Sequence, residues 1–175
     1  LDDAIGECYD KVARIIGLPY PGGPKLDKLA SKGEPTYKLP LPLKDDSYNF
    51  SFSGLKSAVI NLAHNEEQRG RKINKEDLAA SFQKVAVESI TTKAKKAIKD
   101  ENIKHIIVAG GVAANNGLRD AITKLGRELE VEVSFPPMKY CTDNAAMIAA
   151  AGYYAYKDGR VADLTLNSKS NDRLI

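Results

Sequence analysis

The segment HIIVAGGVAANNGLR, residues 105–119, decides the fold class that the sequence predicts. It opens with a short apolar run that predicts a strand over residues 104–109, and the glycine pair 110–111 predicts a tight turn. A helix is predicted over residues 112–129, and a second strand over residues 131–135. Because strand, helix and strand at this spacing make a parallel βαβ unit, we predict an α/β protein.

Further helices are predicted on both sides of this unit. Apolar residues at helical spacing, with start and stop signals, place them over residues 4–16, 25–30, 53–64, 75–100 and 143–157. Ser53 and Thr142 are predicted to be N-caps of their helices. Asn74 with Asp77 resembles a capping box. The small residues of the last helix predict close packing against a neighbouring element.

Four segments follow from this pattern. Residues 1–33 carry the first helix and a Pro-Gly-Gly turn, and residues 34–103 carry an irregular stretch and a helical insertion. Residues 104–159 form the βαβα core, and residues 160–175 form a polar tail that is expected to fray. Proline alternates with leucine over residues 39–43, which can therefore only be an edge strand or extended coil.

The composition is that of a soluble globular protein. Hydrophobic residues make up 43% and charged residues 28% of the 175 residues. No run of about 18 apolar residues is present, so no membrane-spanning helix is predicted. The chain begins without a signal peptide and without Met, so we expect a cytoplasmic protein whose start lies elsewhere. Cys8 and Cys141 are accordingly expected to be free thiols.

Several catalytic and binding classes are disfavoured. His64 and His105 have no nearby ligand partner in the sequence, and no CxxC, HxxxH or HExxH motif occurs, which argues against a zinc site or a Ser/His/Asp triad. The net charge of +3 is weak evidence for a nucleic-acid partner. The lysine-rich run 93–99 leaves two interpretations open. It is either the solvated face and basic end of a helix, or a surface for RNA phosphates.

The first candidate site combines Gly110 and Gly111 with Asn115. Two glycines directly after a buried strand allow a ligand to approach the backbone, and ligands of open α/β sheets bind beyond the carboxyl ends of strands. The Asn115 amide offers a donor and an acceptor that suit a nucleobase edge or a ribose. A tight strand-to-helix turn with no ligand remains the alternative.

The second candidate site is the turn that contains Gly22 and Gly23, with Asp10 before it and Asp27 after it. The glycine backbone could lie against a sugar while the two carboxylates accept hydrogen bonds from ribose hydroxyls. A helix-ending turn with two solvated acids is the competing interpretation.

The third candidate site contains Asp143, which is predicted to lie in the first turn of the last helix. Asp143 could stabilise the positive end of that helix, or it could ligate a metal or a magnesium-bound phosphate. A single carboxylate does not make a metal site, so any further ligands would have to come from elsewhere.

The start of the helix at residue 53 is the least explained region. Ser51 and Ser53 could bind a phosphate through hydroxyl and backbone N–H groups, although a simple capped helix start fits equally well. Residues 80–83 lie inside a predicted helix and are interpreted as packing.

Taken together, these segments resemble the tRNA N6-adenosine threonylcarbamoyltransferase family, once described as glycoproteases. The matching stretches are LDDAIGECYDKVARIIGLPYPGGP (1–24), NFSFSGLKSAV (49–59), ASFQKVAVESI (80–90), HIIVAGGVAANNGLR (105–119) and CTDNAAMIAAAG (141–152). They occur in the family's order and cover nearly the whole chain to about Gly159.

The resemblance implies the actin/sugar-kinase/Hsp70-like (RNase H-like) nucleotide-binding fold, with two lobes of which this chain is the C-terminal one. It implies that residues 1–33 come from the lobe junction and that residues 104–159 bind nucleotide and metal. ATP or threonylcarbamoyl-AMP would occupy the cleft, with one divalent metal, iron or zinc, per subunit. The threonylcarbamoyl group would pass to N6 of the adenosine next to the tRNA anticodon.

The resemblance also assigns residues and partners. The nucleotide or substrate would contact Asp10, Gly23, Asp27, Gly110, Gly111 and Asn115. Asp143 would ligate the metal, and no catalytic residue is identified. The implied partners are tRNA and, in a bacterial complex, a paralogous scaffold subunit and a small ATPase, with no membrane. The faces of helices 53–64 and 75–99 are possible docking surfaces.

One departure from the family limits these expectations. The family's HxxxH metal ligands, and the loop that contacts the acyl-phosphate end of the substrate, belong to its N-terminal half and are absent here. This chain alone is therefore expected to be inactive. The alternatives are a non-catalytic nucleotide-binding scaffold subunit, a metallopeptidase and, on fold alone, a sugar kinase. The metallopeptidase would need a general base that this segment does not supply.

Overall fold

The structure, a computed structural model, describes residues 2–43 and 45–167. Its elements are α1 (Ile5–Ile15), α2 (Gly22–Ala30), α3 (Ser53–Gln68), α4 (Lys75–Asp100), β1 (His105–Ile107), α5 (Asn116–Leu129), β2 (Glu132–Ser134) and α6 (Ala145–Lys157). Short 3₁₀ turns cover Gly111–Ala114 and Met138–Tyr140. The chain divides into two compact units, Leu1–Cys141 and Thr142–Ile175, so the boundary falls inside the predicted 104–159 segment.

The first unit contains an apolar cluster built mainly by helices α1 to α4. The side chains with no solvent exposure include Cys8, Val12, Leu26, Leu55, Leu78 and Phe82. The ring of Tyr9 meets that of Phe82 edge-on, with 4.9 Å between their centroids. The apolar residues of α1 recur at helical spacing, and its buried residues Cys8, Tyr9, Val12 and Ala13 form one face.

Two predicted helix ends are confirmed in detail. Gly17 ends α1 with φ of +82°, and the N–H of Leu18 donates to the carbonyl of Ala13 at 2.8 Å, which is the Schellman arrangement. Asn74 caps α4, because its side-chain oxygen accepts the N–H groups of Glu76 and Asp77 at 3.0 and 3.3 Å. The predicted capping box is otherwise wrong, because the Asp77 carboxylate accepts the N–H of Glu34 at 2.9 Å and the N–H of Asn74 donates to the hydroxyl of Tyr37 at 3.0 Å. The predicted bounds of α4 are also confirmed.

The two strands are parallel, and Ile106 of β1 pairs with Val133 of β2. Leu118, Ile122 and Leu125 of α5 form a second apolar cluster with residues of the strands and of α4. A Cβ built on Gly126 would lie 2.4 Å from Cγ2 of Val133, so glycine permits the close approach of α5 to β2. The predicted βαβ unit is therefore confirmed.

Helix α2 begins three residues earlier than predicted, at Gly22, because the Asp10 carboxylate accepts its first N–H groups. Helix α3 continues to Gln68 rather than 64, since Asn65 to Gln68 includes good helix formers before Gly70, which has φ of +67°. Residues 39–43 form no strand; they are coil, as their prolines allow.

Two predicted caps are wrong. Ser53 is the first helical residue of α3, and its N–H is accepted by the Asp2 carboxylate at 2.9 Å. Asn144, rather than Thr142, caps α6, because its side-chain oxygen accepts the N–H of Met147 at 3.0 Å. Asp143 therefore lies before the helix and not in its first turn.

The second unit contains α6, in which no residue is buried. The predicted close packing of its small residues is thus not observed among the described residues. None of the helices formed by residues 2–43 and 45–167 is long and apolar enough to cross a membrane. Cys8 and Cys141 are both free and buried, in agreement with the predicted free thiols.

Candidate functional site

Asp10 of α1 holds the glycine turn at the start of α2. Its Oδ1 accepts the N–H of Gly22 at 2.8 Å and that of Gly23 at 2.9 Å. The first N–H groups of a helix have no partner inside it, so a carboxylate placed there satisfies two of them and suits the helix dipole. A Cβ on Gly22 would lie 2.4 Å from the Cβ of Ala13, so only glycine fits between the two helices.

Asp27 joins α2 to the beginning of α5. It is 7% exposed, and its Oδ2 accepts both the backbone N–H and the side-chain Nδ2 of Asn116, at 3.1 and 2.8 Å. The interpretation of Asp10 and Asp27 as two solvated acids is therefore wrong for Asp27, whose partner lies 89 residues away in the sequence.

Asn115 is the N-cap of α5, which corrects the prediction of one continuous helix over residues 112–129. Its Oδ1 accepts the N–H of Leu118 at 2.8 Å, and its Nδ2 donates to Oε1 of Gln83 at 3.1 Å. The chain forms a 3₁₀ turn before Asn115 and then turns into α5, because the side chain of Asn115 satisfies the new helix start. Asn115 is 8% exposed.

Gln83 is a residue whose role the sequence did not reveal. Its Oε1 accepts from Asn115 and also from the hydroxyl of Tyr9 at 3.4 Å. A Cβ on Gly117 would lie 2.5 Å from its Nε2. Burial raises the pKa of Tyr9, so that hydroxyl stays protonated and donates. A polar amide beside the buried Phe82 was the available signal, and the interpretation of residues 80–83 as packing holds for Phe82 but not for Gln83.

The glycine pair after β1 faces open space. Gly110 has φ of +89°, which favours glycine. A Cβ built on Gly110 or on Gly111 would meet no other atom within 4 Å. The backbone at this strand end is therefore accessible to a ligand, as the sequence suggested.

Arg119, on the first turn of α5, was also overlooked. Its guanidinium donates to the carbonyls of Ala113 and Pro136 at 2.5 and 2.8 Å and lies 4.8 Å from the ring centroid of Phe135. Its position four residues after Asn115, on the same helix face, was the signal that could have identified it.

Asp143 belongs to the second unit and is exposed. No group of three or more His, Cys, Asp or Glu side chains that could hold a metal ion occurs in the described part of the chain. Because one carboxylate is too small a donor set, the residues present do not by themselves fit a metal ion.

The serines at the start of α3 are already paired with an acid. Hydrogen bonds from the hydroxyls of Ser51 and Ser53 and from the N–H of Ser53 hold the pKa of Asp2 well below its usual value. A carboxylate thus takes the position that a phosphate would need, which favours a simple helix start.

The lysine run of α4 is largely engaged within the chain. Lys93 is only 7% exposed and donates to Oδ1 of Asp45 at 2.7 Å and to the carbonyl of Ser47 at 2.6 Å. Lys95 pairs with Glu128, and Lys96 pairs with Asp100. The prediction of a solvated lysine face is therefore wrong for Lys93, which fixes the irregular segment to α4.

Comparisons with known proteins show the family to which the chain is similar. The family model for TsaD, tRNA N6-adenosine threonylcarbamoyltransferase, matches residues 1–150. A protein of that name from Bacillus cereus is 56% identical over 169 residues, which cover 95% of this chain and 49% of the relative. One from Staphylococcus aureus is 54% identical over 171 residues, which cover 97% and 50%. The chain thus spans about half the length of the curated relatives it matches.

A solved structure shares the fold. The crystal structure of HypF from T. kodakarensis superposes with a TM-score of 0.61, at 19% identity, over 90% of this chain and 20% of the HypF chain. At this identity the likeness supports the α/β fold alone.

Proposed function

Because the chain belongs to the tRNA N6-adenosine threonylcarbamoyltransferase family, we propose that it forms the C-terminal half of a tRNA-modifying acyltransferase. The complete protein transfers the threonylcarbamoyl group from threonylcarbamoyl-AMP to N6 of the adenosine next to the anticodon, and AMP leaves. The half-length match to relatives of that name supports this division. The observation that carries the proposal is a set of hydrogen bonds at both ends of α2. Asp10 accepts the first N–H groups of α2, and Asp27 of that helix accepts from Asn116, which is next to Asn115.

Asp10 and Asp27 have a free oxygen each for the ribose hydroxyls. Within the described residues, the hydrogen bonds to Asp10 end at Oδ1 and those to Asp27 end at Oδ2. Asn115 engages its oxygen with the N–H of Leu118 and its amide group with Gln83 and Tyr9, and these bonds would fix the orientation of its side chain beside the nucleotide.

Gly23, Gly110 and Gly111 provide close backbone approach to the nucleotide. The open space beside Gly110 and Gly111 supports this assignment. The mixed anhydride already has a good leaving group, so the protein's contribution is to position the two substrates and to stabilise developing charge.

Asp143 is proposed as one ligand of a divalent metal, iron or zinc, in the complete protein, with the other ligands outside this sequence. Its exposure and its place before the helix leave the carboxylate accessible. Replacing Asp143 with Ala in the complete polypeptide should lower the bound metal measured by elemental analysis. Asp158→Ala, also in the second unit, should not.

The proposed partners are tRNA, a paralogous scaffold subunit and a small ATPase in a bacterial complex. On the candidate docking face of α4, Lys93, Lys95 and Lys96 are already engaged in ion pairs within the chain. The isolated chain, with half a cleft, is proposed to lack transferase activity.

The function is tested by Asp10→Asn in the complete polypeptide. Asparagine keeps an oxygen for Gly22 and Gly23 but loses the second carboxylate oxygen, so the fold is retained while the ribose acceptor is lost. We expect the KM for threonylcarbamoyl-AMP in tRNA modification to rise about tenfold, as for loss of one hydrogen bond to a charged group. The matched control is Asp120→Asn on the exposed face of α5. Equal KM values for the two variants would remove Asp10 from the site.

A further inference from the structure

Arg119 contacts both segments that follow the strands. We name residues 108–115 the β1 loop and residues 135–141 the β2 loop. In parallel strands these loops leave the same edge of the sheet, which is the edge where ligands of α/β proteins bind. None of the residues proposed to contact the nucleotide explains why a cationic side chain lies between the β1 loop and the β2 loop.

The contact with the β1 loop is made through Nε. It donates to the carbonyl of Ala113 at 2.5 Å, and Ala113 itself is 1% exposed. Ala113 lies in the 3₁₀ turn between Gly111 and the Asn115 cap. The position of this turn therefore depends on where the guanidinium is held.

The contacts with the β2 loop are made through Nη2 and the guanidinium face. Nη2 donates to the carbonyl of Pro136 at 2.8 Å and to Sγ of Cys141 at 3.4 Å. The guanidinium carbon lies 4.8 Å from the centroid of the Phe135 ring. Cys141 is only 3% exposed, so the same side chain encloses its thiol.

The shape of the side chain matters for this arrangement. A planar guanidinium directs several N–H groups to fixed positions and stacks on an aromatic ring, whereas an ammonium group does neither. Among the described residues, no carboxylate lies within 4.0 Å of Arg119, so its donors serve backbone carbonyls and a thiol.

We propose that Arg119 is a positioning residue for nucleotide binding, because it joins the β1 loop to the β2 loop. Through Ala113 it keeps Gly110, Gly111 and Asn115 in the arrangement that receives the nucleotide. This inference rests on the proposed function, since it concerns the same site, but it adds a residue that contacts neither substrate nor metal.

The reactivity of Cys141 shows whether Arg119 holds the β2 loop against the β1 loop. In the complete polypeptide, the rate at which a soluble thiol reagent modifies Cys141 measures how often the β2 loop separates from Arg119. Cys8 is an internal reference, because it has no solvent exposure and burial raises its pKa to about 12. Cys8 reacts only when the helical core opens. Mass spectrometry of the peptides distinguishes the two sites.

The variant is Arg119→Gln, and the matched control is Arg127→Gln on an exposed position of the same helix. We expect Arg119→Gln to accelerate modification of Cys141 about tenfold or more, with Cys8 still protected, since charge-assisted hydrogen bonds are lost. The KM for the nucleotide should rise by a similar factor while kcat changes little. Arg127→Gln should change neither quantity. Arg119→Lys should fall between wild type and Arg119→Gln.

Protection of Cys141 equal to that of wild type in Arg119→Gln would overturn the proposal. Faster modification of Cys141 with an unchanged nucleotide KM would overturn its functional part, since Arg119 would then serve the fold alone. If Cys8 also reacts in Arg119→Gln, the helical core of that variant has opened. The rate of Cys141 modification and the nucleotide KM of Arg119→Lys then decide. A wild-type protein that modifies no tRNA would refute the proposed function instead, and Cys141 would still show whether Arg119 joins the loops.

Discussion

Helices α1 and α6 both contain many apolar residues, yet their surroundings differ. Helix α1 has four charged residues among 11, and Cys8, Tyr9, Val12 and Ala13 are buried. Helix α6 has one charged residue among 13 and buries none. The difference shows that apolar content does not decide burial. In α1 the apolar residues lie on one face that meets other helices, whereas in α6 they lie all round.

The largest expected difference between the two regions is in the cost of truncating a side chain. Leu26, which packs with α1, has no exposure, and Ile148 of α6 is 66% exposed. Leu26→Ala should lower the free energy of unfolding by about 2–5 kcal/mol. Ile148→Ala should change it by less than about 0.5 kcal/mol. Urea denaturation of the two variants measures both values, and similar losses would mean that α6 is buried in solution.

A smaller difference is expected where alanine replaces glycine. Gly22→Ala places a Cβ against Ala13 and Asp10 and should cost about 1–3 kcal/mol. Around Gly152 of α6, a built Cβ meets nothing within 4 Å, so Gly152→Ala should stabilise its helix by about 0.5–1 kcal/mol. Thermal unfolding tests the first variant, and amide hydrogen exchange within α6 tests the second. Destabilisation by Gly152→Ala would show that α6 has a close neighbour.

The smallest effect concerns pH. The ammonium groups of Lys11 and then Lys56 hold the pKa of Asp3 below its usual value, and so they tie α1 to α3. A carboxylate with a lowered pKa stabilises the fold above its unfolded pKa of about 3.9, and this contribution is lost as the pH falls through the lowered folded value. Asp3→Asn should thus be less stable than wild type at pH 7, and the difference should shrink below about pH 4.

The control for this effect is Asp163→Asn in the second unit. The pKa of Asp163 is lowered by the hydroxyl and then the N–H of Thr165, two residues along the chain. Replacing the Asp163 carboxylate should leave the main unfolding transition unchanged at every pH. A pH-independent difference between Asp3→Asn and wild type would exclude the carboxylate of Asp3 as its cause.

Local rules predicted the elements whose ends are determined by their own residues. Gly17 ends α1 and Asn74 caps α4, because each acts on the backbone within a few residues of itself. The βαβ unit was predictable for the same reason: the apolar run before Gly110 and the length of the connection allow few other arrangements.

The sequence named candidate site residues but could not predict the hydrogen bonds that join them. Asp10, Asp27 and Asn115 were identified, whereas the helix break at Asn115 depends on an amide from α4 that lies 32 residues away. The burial of Asp27 likewise depends on Asn116, and Gln83 bonds Asn115 and Tyr9, which are both distant from it in sequence. Arg119 bonds Pro136 as well as the nearer Ala113. The cap at Asn144 was missed because the neighbouring Thr142 competes for the same helix start, and the role of Asp2 was missed because it lies 51 residues from Ser53 in sequence.

The enclosed ammonium of Lys93 also changes how α4 would attract a polyanion. Asp45, Glu128 and Asp100 compensate Lys93, Lys95 and Lys96, so in the described part of the run 93–99 only Lys99 lacks an ion pair within 4.0 Å. An RNA strand crossing this run would therefore displace about one counterion there, and the contribution of residues 93–99 to the salt dependence of binding would be close to one logarithmic unit per tenfold change in salt.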